Sequence, residues 1–106
     1  NYNWFVSVYQ LNVLPNYQYA SRPWSAGYKI IYDANKIIVG AQQLPDATEE
    51  EINSLVAEAK VMRAYTMLKM VEVFAPAYAA DPDAPGILLI TKPLQYDAPD
   101  VGRSSV

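Results

Sequence analysis

Any chemistry in this chain has to come from carboxylates, basic side chains and aromatic rings. There is no His and no Cys among its 106 residues. Within these residues that removes Ser-His and Cys-His nucleophilic catalysis and His- or Cys-ligated zinc. It also removes a disulfide framework. No Gly-rich phosphate loop occurs. Carboxylate pairs are the remaining catalytic option, and in glycoside-cleaving enzymes they stand about 5–10 Å apart. Glu58 and Glu72 would share roughly one face of a helix, but about 21 Å apart along its axis at ~1.5 Å per residue. They cannot act as a pair. Glu49, Glu50 and Glu51 read as helix-start charges. Asp81, Asp83, Asp97 and Asp100 fall in Pro-rich sequence without EF-hand spacing, where turn formation is the plainer role. No enzyme, metal site or cofactor is expected.

Two other sets of residues invite a role. Residues 1–20 are dense in Tyr, Asn and Gln. Aromatic rings stack on the apolar face of a sugar while amides reach its hydroxyls, so Trp4 and Tyr19 are candidates for a glycan platform. The same rings could equally be packing residues, and both readings stay open. The second set is Glu58, Lys60 and Arg63 on an otherwise apolar stretch. Arg63 is expected to find a carboxylate or helix C-terminal carbonyls and so tie its helix to neighbours; sugar contact is the alternative. Asn35 lies on an apolar stripe. A buried amide without partners costs about 1–3 kcal/mol, so hydrogen bonds to neighbouring backbone or side chains are expected of it.

The elements that must position these residues are two helices. Thr48–Ala75 is the stronger. Thr48 followed by Glu51 is a capping box, and Ile52, Leu55, Val56, Ala59, Met62 and Thr66 recur at helical spacing. From Val61 to Phe74 almost no polar face remains, which predicts neighbours on several sides. Pro76 closes the run. The other helix is expected over residues 21–43, capped by Ser21 with Pro23 in its first turn. Trp24, Tyr28, Ile31, Ala34, Asn35 and Ile38 form its stripe, and Pro45 ends it. Gly27 and Gly40 each weaken it by ~1 kcal/mol relative to Ala. The short loop 44–47 predicts an antiparallel hairpin. Residues 1–20 read as irregular with a helical turn before Pro15. Residues 76–106 read as an ordered, Pro-rich connection, with Ile87–Thr91 extended.

Three motifs in order carry a family likeness. They are Trp24-x-x-x-Tyr28-x-x-Ile31-x-x-x-Asn35; Ala57-Glu58-Ala59-Lys60-x-x-Arg63-Ala64-Tyr65 running on to Phe74; and Pro85-Gly86-Ile87-Leu88-Leu89 to Pro93 with Arg103-Ser104-Ser105-Val106. Over residues 21–106 the chain resembles the SusD/RagB family of glycan-binding surface lipoproteins of Bacteroidetes-type bacteria. It departs from the family pattern at Ala75, where Gly is common, and at Leu88, where Pro is common. The resemblance implies an all-α fold in which this tetratricopeptide-like hairpin is part of a larger array of helix pairs. Trp24, Tyr28, Asn35, Glu58, Arg63 and Tyr65 would then be structural motif residues. It also implies non-catalytic binding of oligosaccharide or polysaccharide at the outer-membrane surface. The partner would be a TonB-dependent, SusC-like transporter, and the lipid anchor would lie outside these residues.

Composition agrees with a partial domain. A hydrophobic content of 52% with 18% charge is high for 106 residues, because small domains bury a lower share of their surface. The chain opens on NYNWF without Met and closes on a Ser104-Ser105-Val106 stretch suited to capping a further helix, so a longer protein is expected. Net charge is −3 with eight scattered Lys and Arg, which disfavours nucleic-acid binding. No run approaches the ~18 apolar residues that span a bilayer. Two other functions remain: a helical-repeat module that binds protein and no sugar, and a glycoside hydrolase domain, which the missing carboxylate pair disfavours.

Overall fold

The structure, a computed structural model, describes residue 10, residues 18–94 and residues 101–106. Two helices make up the regular structure of these residues: α1 (Gln18–Ala41) and α2 (Glu49–Phe74). They pack side by side and antiparallel, so that Gly27 faces Met70 near one end while Asn35 meets Arg63 further along. The architecture is an all-α hairpin with a long, irregular segment laid over one face.

α2 begins where its capping chemistry dictates. The Glu51 amide donates to Thr48 Oγ1 at 3.2 Å, and the Thr48 amide donates to Glu51 Oε2 at 2.8 Å. Two amides that the helix start leaves without an intrahelical acceptor are thereby satisfied. Glu49, Glu50 and Glu51 add negative charge at the positive end of the helix dipole. At the other end Ala75 turns extended, its amide still donating to the Val71 carbonyl at 3.0 Å, and Pro76 prevents continuation.

α1 differs from the expected 21–43 span. It starts at Gln18 instead of at a Ser21 cap, which puts Pro23 inside the helix. Pro is barred from a helix interior by a missing donor and a ring clash one turn back, but its own φ is helical. Near the helix start only one rung of the ladder is lost. The helix stops at Ala41. The amides of Gln43 and Leu44 turn back onto the Gly40 and Ala41 carbonyls before Pro45.

The core is a small cluster of Ile31, Met70 and Ile87, edged by Trp24, Tyr28, Met67, Val71, Phe74 and Ile90. Ile31 is fully buried. Gly27 lets the helices close there, because a Cβ at that position would collide with the Met70 sulfur. Ile87 and Ile90 come from the connection, which runs along the hairpin as a strap over residues 84–94. Its approach is shaped by Asp chemistry: Asp81 Oδ1 accepts from the Asp83 amide at 3.1 Å, and the Ala84 amide returns to the Asp81 carbonyl at 3.3 Å.

The start of the strap pairs with the last residues. Ser104 donates to Ile87 and Val106 to Ala84, each at 3.0 Å, around an antiparallel bridge between Pro85 and Ser105. Gly86 suits this close approach, since a Cβ would press within 3.2 Å of the Ser104 and Ser105 carbonyl oxygens. Residues 87–91 form no strand; the pairing is confined to the single bridge at Pro85.

The outer side of α2 departs from expectation. Among the described residues nothing covers it: Val61, Tyr65, Leu68 and Val73 are 55–69% exposed. Their apolar run therefore does not face a neighbour within the described residues.

Candidate functional site

The strap is held mainly by side chains that grip backbone, and this grip organises the polar residues of the hairpin. Tyr28 comes from α1. Its hydroxyl accepts the Leu88 amide at 2.6 Å and donates to the Leu88 carbonyl at 3.2 Å. One phenol thus does for Leu88 what a neighbouring strand would. Burial pushes the Tyr28 pKa up, opposed by the Leu88 amide and the nearby Arg103 charge.

One turn-pair further along α1, Asn35 donates to the Ile90 carbonyl at 2.9 Å and more weakly to that of Lys92 at 3.4 Å. Its own oxygen accepts from Arg63 Nη1 at 2.7 Å. The same Nη1 donates to the Thr91 carbonyl at 3.0 Å. Arg63 therefore joins α2 to α1 and to the strap. Its partners are an amide and a strap carbonyl, not the carboxylate or helix C-terminus that its sequence setting suggested. The reason is geometric: the strap brings three carbonyls to a position where Arg63 has no carboxylate partner among the described residues.

Arg103 grips from the far side. Its Nε donates to the Gly86 carbonyl at 2.6 Å, and Nη2 donates to the Phe74 and Pro85 carbonyls at 3.0 Å. The guanidinium carbon lies 5.8 Å from the centre of the Trp24 ring. Trp24 is fixed by edge contacts with Tyr28 and Phe74, each at 5.0 Å between ring centres. Beside these groups is a hollow of about 310 Å³ lined by Ala20, Ser21, Trp24, Ser25, Phe74 and Arg103.

The remaining motif residues scatter. Glu58 lies on the opposite face, at the rim of a shallow apolar groove between the helices with Ile30, Ile37, Leu55 and Met62. Tyr65 is on the open side of α2, with the Lys69 ammonium 5.7 Å from its ring. Glu72 is engaged at the surface with Lys69 at 2.8 Å.

Trp4 lies outside the described residues, as do Asp97 and Asp100. Tyr19 is described and exposed, but in the first turn of α1, not in an irregular segment before it. Sequence reasoning passed over Arg103, Phe74, Ser21 and Ser25 as a group. The pair Ser21 and Ser25 around Trp24 has helical spacing and was visible in principle. Arg103 was not, since only the strap's path returns it to Trp24.

A sequence model of the SusD-like proteins, described as starch-binding associating with the outer membrane, matches residues 1–106. The chain belongs to this SusD-like family. No curated protein and no solved structure matches it. The all-α hairpin of the SusD-like chain agrees with a helical fold for such a member. The family is one of starch or glycan binding at the outer membrane. No helix among the described residues is long and apolar enough to cross a membrane.

Proposed function

We propose that the SusD-like chain binds oligosaccharide or polysaccharide at the bacterial surface, without cleaving it, and passes it to a TonB-dependent, SusC-like transporter. The observation that carries this reading is the family match, which runs from the first residue to the last. On this reading the hairpin is one tetratricopeptide-like unit of a larger scaffold, and the protein is held at the outer surface as a lipoprotein. Its helical carboxylates Glu58 and Glu72 are too far apart for glycoside cleavage, and Glu72 pairs with Lys69 at 2.8 Å.

Affinity electrophoresis of the intact protein in gels containing starch tests the reading. Retardation without release of reducing sugar is the expected result. Unchanged migration in starch and in other bacterial and plant polysaccharides would sink it. Trp4 and Tyr19 remain proposed platform residues, and calorimetry of Trp4→Ala and Tyr19→Ala should show weakened binding. Undiminished affinity removes the substituted residue from the site.

One observation favours a second reading, a helical-repeat module that binds protein. The exposed Val61, Tyr65, Leu68 and Val73 side chains form the kind of apolar surface that marks an interface. A protein that ignores every glycan but co-purifies with its transporter would support it.

A further inference from the structure

We propose that the hollow beside Trp24 is a subsite for a single hexose unit of a starch-type glucan. This rests on the glycan-binding reading above and gives it a location. The hollow is lined by Ala20, Ser21, Trp24, Ser25, Phe74 and Arg103, and its volume of about 310 Å³ is at the small end for ligand sites. It suits one sugar ring, not an oligomer.

The Trp24 indole is set in place before any ligand arrives. Phe74 meets it edge-on at 90° and Tyr28 at 61°. Little side-chain freedom is left to lose on binding, which favours affinity. The indole gives the hollow an apolar wall beside the Arg103 guanidinium, against which a sugar's C–H groups can rest. Ser21 and Ser25 stand one helical turn apart on either side of Trp24, on the same face of α1. Each hydroxyl can donate and accept, which matches sugar hydroxyls. Neither side chain is hydrogen-bonded among the described residues.

Arg103 completes the set. Its Nε and Nη2 are spent on the Gly86, Phe74 and Pro85 carbonyls. Those bonds fix the plane of the guanidinium, while Nη1 donates to nothing among the described residues. It is a spare donor on an immobilised side chain that lines the hollow.

The apolar groove between the two helices lacks this combination. The groove lined by Ile30, Ile37, Leu55 and Met62 has only Asp33 and Glu58 as polar groups and no aromatic ring. A neutral sugar would find neither a stacking face nor a donor there.

The test uses the full-length protein carrying 5-fluorotryptophan, titrated with maltoheptaose and followed by fluorine NMR and calorimetry. Loss of one resonance in Trp24→Phe assigns the Trp24 signal. That signal should shift saturably with the sugar. Ser21→Ala with Ser25→Ala keeps the shape of the hollow and removes both hydroxyls. It should weaken binding by about tenfold, the loss of roughly one to two net hydrogen bonds. Ser25→Trp, at an exposed position, should fill the hollow and stop the shift. Binding by wild type with a stationary Trp24 signal and unaltered affinity in both serine variants would overturn the subsite and leave the glycan-binding function standing. No heat with maltoheptaose or starch from the wild-type protein would overturn both.

Discussion

Asn35 is 1% exposed, and both ends of its amide are in use: the nitrogen on the strap carbonyls of Ile90 and Lys92, the oxygen on Arg63. Deleting Arg63 would leave that oxygen buried and unpaired. Arg63→Met, which keeps the length of the side chain, should therefore destabilise the protein by about 1–3 kcal/mol. Thermal unfolding of the intact protein measures it. Asn35→Leu should cost a similar amount. The double substitution should cost less than the sum by ~0.5–3 kcal/mol, since the two residues share one interaction. Strict additivity would show that Arg63 and Asn35 stabilise the strap independently.

The two helices respond to their sequences differently. In α1 the two glycines have opposite surroundings. A Cβ on Gly40 meets nothing within 4 Å, whereas one on Gly27 drives into Met70. Gly40→Ala should gain about 0.5–1 kcal/mol from helix propensity alone. Gly27→Ala gains the same but makes the outer end of Met70 shift within its packed cluster with Ile31 and Ile87, which costs ~1–3 kcal/mol. The net should be a loss. A raised melting temperature for Gly27→Ala would mean that the thioether swings aside without resistance. In α2 the capping box makes the first turn sensitive to acid. Bonds from the Thr48 amide and hydroxyl hold the Glu51 pKa below its ordinary value. Its support is therefore present above the usual Glu range and is lost as pH falls through the lowered value. The protection of the amides in residues 49–52, measured against the slower intrinsic exchange at low pH, should fall on acidification. In Glu51→Gln the exchange should lose that particular pH dependence. An unchanged acid response in the Gln variant would assign it to Glu49 and Glu50 acting on the helix dipole.

At the scale of the whole molecule, the hairpin and strap form one packing unit because polar side chains of the hairpin and of the last residues hold the strap's backbone. Tyr28, Asn35, Arg63 and Arg103 grip the strap in turn, and Ile87 and Ile90 are its apolar anchors. The strap should therefore open as a unit. Tyr28→Phe strips the Leu88 amide of its acceptor and should speed hydrogen exchange at Leu88. The effect should spread to Ser104, whose amide is bonded to Ile87. Faster exchange confined to Leu88 would mean that the grips are independent. By itself the sequence determined the two helices, the Thr48–Glu51 cap, the stop at Pro76 and the all-α class. Each rests on residues within a turn or two of one another, so spacing alone carries the information. It also named Asn35 and Arg63 as polar residues in apolar settings that need partners. Their partners were decided by the tertiary structure. Tyr28 meets Leu88 across 60 positions, Arg63 meets Thr91 across 28 and Arg103 meets Phe74 across 29. Such contacts are set by where an irregular, Pro-bounded strap can lie once the helices have closed around Gly27. The hollow beside Trp24 has the same origin, since its walls come from the start of one helix, the end of the other and the last residues of the chain. No periodicity encodes that meeting; it follows from the packing that buries Ile31, Met70 and Ile87 together.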